Sequence, residues 1–221
     1  MAARVKRTVV VIVVALGIVA GTSTMASASF GIGIAPNGAI EGTSEGRLVF
    51  RGGAGVEISC EVVLRGNLVP LVRKLVGQPF GAIAGGEARG CVGNMFTIGV
   101  PTVMFLAPIP LTYNSFLGTL PNITGLLVNF QPLNFRTNET EARARILAEC
   151  LYEGTIGGLL TVAGGEFDRL RFLEANRARL KAERSRGVEN CEAEMVLRGS
   201  LRIAPRQRAV LLLRDPEVRL L

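Results

Sequence analysis

The chain contains no histidine and no tryptophan, and its only aspartates are Asp168 and Asp215. Without histidine, neither a Ser–His–Asp nor a Cys–His catalytic site can form, and imidazole ligands for a metal are excluded. The Gly-rich stretch "GIGIAPNG" lacks the preceding strand and following helix of a dinucleotide or phosphate loop. We therefore predict no catalytic, metal-binding or cofactor-binding residues, and no enzymatic activity.

Carboxylates alone leave one enzymatic alternative, a secreted hydrolase with two acidic residues flanking its substrate. Glu57 and Glu61 lie four residues apart, and Glu192 and Glu194 lie two apart. Both spacings place the two side chains on one strand face, where they alternate with apolar residues. We favour exposed charge on a strand surface over a catalytic pair.

The N-terminus has the layout of a secretory signal peptide. Basic residues precede an apolar run from Val9 to Ala20, which is shorter than the ~20 residues that a membrane-spanning helix needs. Small residues at 26–28 offer a cleavage site. We predict a signal peptide over 1–28, an exported mature chain without a transmembrane span, and a retained signal anchor as the alternative. The basic residues are Arg4, Lys6 and Arg7.

Long hydrophobic runs are otherwise lacking, and the charge is modest. The formal charge of +7 falls to +4 once the three basic residues of the signal are removed. A charge of this size supports solubility and weak attraction to anionic envelope polymers. The basic run at 169–186 is broken by Glu174 and Glu183 and carries no series of aromatic residues for base stacking, so we predict no nucleic-acid binding.

Four cysteines follow the signal, at spacings of 31, 59 and 41 residues. An even number in an exported chain indicates two disulfides, with three connectivities open, and an all-cysteine zinc site is the disfavoured alternative. The cysteines are Cys60, Cys91, Cys150 and Cys191.

Period-two alternation begins at residue 46. In two runs between Leu48 and Leu68, separated by "RGGAG", the large apolar side chains fall mainly on even positions and the charged ones on odd positions. This pattern predicts half-buried strands. The preceding Gly-rich segment has no periodicity, so we predict a flexible N-terminal arm or irregular edge strand over 29–45 and a single disulfide-bonded β domain over 46–221.

Two related stretches, "CEVVLRGNL" at Cys60 and "CEAEMVLRGSL" at Cys191, place a cysteine and leucines on one strand face and Arg65 or Arg198 on the other. No longer repeat surrounds them. A sandwich or barrel can bring its first and last long strands together. We hypothesise that Cys60 bonds Cys191 and that Cys91 bonds Cys150.

Two segments fit both helix and strand. Residues 138–154 have good helix propensity, but as a strand they place Ile146, Cys150 and Tyr152 on one face. The composition of 165–186 favours one helix, although its apolar residues hold no helical face beyond Leu173. This second segment also contains a basic run. It is either a solvated face or a candidate anion-binding strip, made of Arg169, Arg171, Arg177, Arg179, Lys181, Arg184 and Arg186.

At "SFLGTLPNITG", with "CEVVLRGNL" upstream and "AECLYEGTIGG" downstream, the chain resembles a group of exported all-β proteins from high-GC, actinobacterial-type bacteria that share a GTLPNI motif. The resemblance implies that the segment around Cys150 is a strand. It carries no activity.

These observations predict a mainly β fold, an antiparallel sandwich or partly closed barrel with one helix near 165–186 as an open choice. The expected role is non-enzymatic, structural or binding, at the cell envelope or outside the cell. The alternatives are the carboxylate hydrolase and an oligomeric β-pore, which the charged odd positions disfavour.

Overall fold

The alternating pattern read from the sequence is realised as strands along most of the chain. The structure is a computed structural model that describes residues 31–35, 38–73, 75–94, 99–119, 122–141, 146–174, 177–204 and 208–212. Within these ranges the strands are β1 (Gly31–Ala35), β2 (Gly38–Ser44), β3 (Leu48–Gly52), β4 (Glu57–Leu68), β5 (Leu71–Arg73), β6 (Pro79–Gly93), β7 (Gly99–Phe105), β8 (Ile109–Thr119), β9 (Asn122–Glu141), β10 (Ile146–Ala163), β11 (Glu166–Phe172), β12 (Ala178–Leu180), β13 (Glu194–Arg198), β14 (Ser200–Ala204) and β15 (Arg208–Leu212).

Eight antiparallel segments form a ring in chain order. Four are the long strands β4, β6, β9 and β10, and four are pairs of consecutive strands, β2 with β3, β7 with β8, β11 with β12 and β13 with β14. The last segment returns to the first, because β13 pairs with β3 and β14 pairs with β2. Between β6 and β7 the described residues form no ladder. The prediction of a mainly β sandwich or partly closed barrel is confirmed.

Three further strands extend the sheet beyond the ring. β15 pairs with the start of β11 at one position, and β1 lies between β15 and β5. The segment 29–45, predicted as a flexible arm or an irregular edge strand, contains β1 and β2 where the structure describes it. β2 is one of the strands that form the ring, and it is hydrogen-bonded to β4 on one side and to β14 on the other. The strand β2 could not be predicted from its Gly-rich sequence, because too few side chains are present to show a period of two.

Three of the paired segments, β2/β3, β11/β12 and β13/β14, break at a shared level of the ring, which we call the crease and define by Glu45, Phe172 and Gly199. The Phe172 N–H donates to the Gly199 carbonyl at 3.0 Å, and the Glu45 N–H donates to the Ser200 carbonyl at 2.9 Å. Gly199 has φ +122, and a Cβ there would lie 2.6 Å from Leu48 Cδ2. Glycine therefore permits the bend that lets the sheet close around a filled interior.

A single hydrophobic core fills the ring. At one end the ring centroids of Phe50 and Phe135 are 5.1 Å apart, and those of Phe135 and Tyr152 are 5.2 Å apart. At the other end Phe130 and Phe172 are 5.3 Å apart. All five side chains are buried. Apolar burial of this kind is the main favourable term in folding, and it comes here from every segment of the ring.

The disulfides join Cys60 to Cys91 and Cys150 to Cys191. The hypothesised Cys60–Cys191 and Cys91–Cys150 pairs are therefore wrong. In the sheet β4 lies beside β6, so Cys60 and Cys91 come within 4.2 Å between their Cα atoms. β3 separates β4 from β13, and the two related stretches are not neighbours.

The predicted strand faces are confirmed for the stretch at Cys60 but not for the cysteine of the stretch at Cys191. On β4, Cys60, Leu64 and Leu68 are buried and Arg65 is exposed, as predicted. The second strand begins only at Glu194, so the half-buried Cys191 lies in a bend before β13 and not within a strand.

No α-helix is present in the described residues of 165–186, so the choice left open there is decided in favour of strand. This segment forms β11, β12 and a single-turn 3₁₀ helix, Ala182–Arg184; a second such turn, Val188–Asn190, follows it. Hydrogen bonding along β10 supplies backbone partners that override the helical propensity of the sequence. Residues 138–154 are strand where described, as the resemblance implied.

The predicted signal peptide over 1–28 lies outside the described residues. Among the residues that the structure does describe, no helix has the length and apolar character needed to cross a membrane.

Candidate functional site

The basic run at 169–186 lies in one line along β10. β11 pairs with Gly158–Ala163, β12 pairs with Tyr152 and Glu153, and Arg186 bridges to Glu149 further along the same strand. Because this segment is extended, every second residue of β11 and β12 faces solvent. We call the seven predicted residues the arginine strip: Arg169, Arg171, Arg177, Arg179, Lys181, Arg184 and Arg186.

Carboxylates pair with part of the arginine strip. Glu194 lies 2.9 Å from Arg177 and 3.5 Å from Arg179, measured between charged atoms. The Lys181 ammonium lies 3.3 Å from Glu153. Exposed pairs of this kind contribute little to stability, so they leave the strip accessible to other anions. Arg171, Arg184 and Arg186 make no ion pair with another described residue.

One end of the arginine strip belongs to a group of interacting charged and polar side chains at the crease. We call this group the Glu45 cluster; it is formed by Glu45, Arg169, Arg202 and Ser200. Arg169 Nη2 donates to Glu45 Oε1 at 3.0 Å, and Arg169 Nε contacts Oε2 of the same carboxylate. The Ser200 hydroxyl donates to Oε2 at 3.0 Å, and Arg202 Nε lies 3.6 Å from Oε1. Two cations thus share one carboxylate.

The electrostatics of the Glu45 carboxylate follow from these partners. Partial desolvation acts to raise its pKa, but hydrogen bonds from Ser200 and Arg169 and the charges of Arg169 and Arg202 outweigh that effect. The pKa of Glu45 is therefore lowered from its ordinary value, and the carboxylate is ionised at neutral pH.

Sequence reasoning missed Arg202, Ser200 and Glu45 as members of this group. Glu45 is one of two acids, with Glu41, in a Gly-rich stretch, and Arg202 lies 33 residues from Arg169 in the chain. Only the β11–β14 ladder, in which Arg169 is opposite Arg202, brings the two arginines together. No local signal in the sequence marks this contact.

A surface groove of about 510 Å³ lies beside the cluster, between β2, β4 and β6. It contains two carboxylates, Glu61 and Glu87, the arrangement that a hydrolase would need. Hydrogen bonds from Arg65 and Arg89, with their charges, lower the pKa of Glu87. A general acid needs the opposite shift, so Glu87 does not have the electrostatics of that role.

The other two pairs of acids considered from the sequence are separated by the fold. Glu57 is half-buried and Glu61 is exposed, and only Glu61 borders the groove. Glu192 accepts a hydrogen bond from the Ala54 N–H at 3.1 Å, whereas Glu194 binds Arg177 and Arg179. Each of these two acids thus has partners of its own on different neighbouring elements.

In the interior lined by described residues, a cavity of about 30 Å³ is bordered by apolar residues and glycine, including Leu64, Phe80, Phe130 and Leu201. A cavity of this size and chemistry holds neither a cofactor nor a polar ligand. At the other end, burial raises the pKa of the Tyr152 hydroxyl, which remains a neutral hydrogen-bonding group.

No cluster of three or more metal-ligating side chains occurs in the described part of the chain. No known family, curated protein or solved structure matches this sequence or its fold. The arginine strip with the Glu45 cluster is therefore the candidate site on its geometry alone.

Proposed function

We propose that this chain is an exported, non-catalytic protein that binds linear anionic polymers of the cell envelope or extracellular space along the arginine strip. The observation that carries this proposal is the placement of seven basic residues on one chain segment that runs beside β10. Successive outward residues on a strand are about 6–7 Å apart, which suits a ligand with repeated charges. Guanidinium groups also bind sulfate and phosphate through paired hydrogen bonds.

Two disulfides support the location part of the proposal, because disulfides form and persist mainly outside the reducing cytosol. Cell fractionation combined with non-reducing peptide mass spectrometry tests it. We expect an extracytoplasmic protein that starts near Ser29, with Cys60–Cys91 and Cys150–Cys191 peptides. A cytosolic protein with four free thiols would contradict export.

Fluorescence anisotropy with labelled dextran sulfate tests polymer binding, with neutral dextran as the control ligand. The variant R171Q/R184Q/R186Q removes three strip charges that make no ion pair with a described residue. We expect weaker binding and a plot of log K against log salt that is shallower by about one per lost contact.

The control variant R51Q/R65Q/R89Q removes three charges from β3, β4 and β6 that are not members of the strip. It changes the net charge by the same amount, so a general charge effect would weaken binding equally in both variants. An equal loss would contradict a localised site on the strip. Binding of wild-type protein to neutral dextran as tightly as to dextran sulfate would contradict anion recognition altogether.

A further inference from the structure

Arg169 and Arg202 lie directly opposite each other on β11 and β14. Like charges in such cross-strand pairs repel and destabilise a sheet unless an anion lies between them. In this structure the anion is the chain's own Glu45 carboxylate, held by Arg169 through both oxygens and by the Ser200 hydroxyl. The pair therefore has the geometry of an anion site with an internal occupant.

The backbone holds Glu45 at this position without help from its side chain. The Glu45 N–H donates to the Ser200 carbonyl at 2.9 Å, and the next residue, Gly46, turns the chain with φ +82. The side chain of Glu45 is 24% exposed, and those of Arg169 and Arg202 are 46% and 70% exposed. The carboxylate can leave the two arginines by side-chain rotation alone, because solvent reaches all three groups.

The Glu45 cluster differs from the arginine–glutamate network around Arg65 in its ratio of arginines to carboxylates. Around Arg65, two arginines face two carboxylates, with Arg65 bound to Glu41 and Glu87, and Arg89 bound to Glu87. At the crease, one carboxylate serves Arg169 and Arg202, and Arg171 lies beside Ser200 in the next row of the ladder. Among the ion pairs between described residues, the Glu45 cluster therefore has two cations on a single carboxylate.

We propose that Arg169, Arg202 and Ser200 form an anion-binding site that Glu45 occupies until a ligand displaces it. The ligand is a sulfate or phosphate group of a polymer, so this inference rests on the proposed function. A sulfate ester offers three non-bridging oxygens and a phosphate within a polymer offers two, and each oxygen can accept more than one hydrogen bond from the Arg169 fork, the Arg202 guanidinium and the Ser200 hydroxyl. With Glu45 in place, Arg202 Nε lies 3.6 Å from Oε1, outside hydrogen-bond distance.

The variant E45Q tests this site, with E194Q as a matched control. Glu194 is also shared by two arginines of the strip, and its replacement removes the same charge. Affinities are measured by anisotropy for labelled dextran sulfate and labelled polyphosphate at one fixed ionic strength. Loss of a competing charged hydrogen-bond acceptor raises affinity by about tenfold in E45Q, against about twofold in E194Q from charge alone.

A larger gain in affinity in E45Q than in E194Q supports Glu45 as the internal occupant of the site. The polymer whose affinity rises more identifies sulfate or phosphate as the preferred group. Equal gains, or none in E45Q, overturn the inference and leave strip binding intact. If wild-type protein and both variants fail to bind either polymer, the proposed function itself fails.

A measurement on wild-type protein covers the case in which E45Q does not fold. The carboxyl carbon of Glu45 is followed by NMR during a pH titration, with and without dextran sulfate. On displacement we expect the pKa of Glu45 to rise towards its ordinary value. Glu87 is the internal control, because Arg65 and Arg89 hold its pKa low away from the strip. No change at Glu45 on saturation with polymer, or the same change at Glu87, overturns the inference.

Discussion

The four continuous segments of the ring and the four broken ones differ in backbone and in surface. β4, β6, β9 and β10 run without interruption and supply the longest ladders, of which β9 with β10 is the longest. The broken segments β2/β3, β11/β12 and β13/β14 meet at the crease. The whole Glu45 cluster, Cys191 and the arginine strip lie on these broken segments or the turns that join them. The comparison teaches that the continuous strands form the framework and that the breaks position the charged groups.

The largest effect on stability is expected from removing each disulfide in turn, which tests the difference between the continuous and the broken segments. Cys60–Cys91 joins two continuous strands, whereas Cys150–Cys191 ties β10 to the irregular segment before β13. In the loop-entropy account, C60A/C91A and C150A/C191A each lower the free energy of unfolding by about 3–4 kcal/mol. We expect denaturant unfolding to show similar losses but hydrogen exchange to differ, with faster exchange over 181–193 only in C150A/C191A.

That difference follows because ladder hydrogen bonds still hold β4 to β6 in C60A/C91A. Equal exchange over 181–193 in both variants would show that the broken half does not depend on its disulfide. The comparison drawn above would then be wrong for this segment.

A smaller effect is expected from glycine at the crease. In G199A the new Cβ meets Leu48 and φ +122 is unfavourable for alanine, so we expect a loss of about 1–3 kcal/mol in the free energy of unfolding. G85A on the continuous strand β6 is the control, since open space surrounds a Cβ there. Thermal and urea unfolding of both variants measures the contrast. Equal stability of the two would mean that the crease does not need glycine.

The smallest effect concerns acid stability. The pKa values of Glu45 and Glu87 are lowered from 4.5, so each stabilises the fold above the unfolded value and loses that contribution as pH falls through the folded value. In E45Q and E87Q we expect stability to fall less steeply with acid below pH 4.5 than in wild type, measured by urea midpoints. E61Q is the control, because Glu61 makes no ion pair with another described residue. A flattening in E61Q as large as in E45Q would contradict this assignment.

Sequence reasoning succeeded where one strand's own pattern was enough. The even positions of β3 and β4 are buried because a period of two is a property of the strand itself. It left the choice open at 165–186, where helix-favouring residues form strands because β10 offers hydrogen-bond partners. It failed on the disulfides, since the partner of Cys60 depends on which strand lies beside β4.

The sequence by itself determined the all-β class, the inward face of β4 and the presence of a basic run. Each of these depends on residues close together in the chain, whose chemistry sets local conformation and burial. Tertiary structure decided that Cys60 bonds Cys91, that the basic run is extended, and that Glu45 lies between Arg169 and Arg202. These contacts join residues far apart in the chain, and only the order of strands around the ring brings them together.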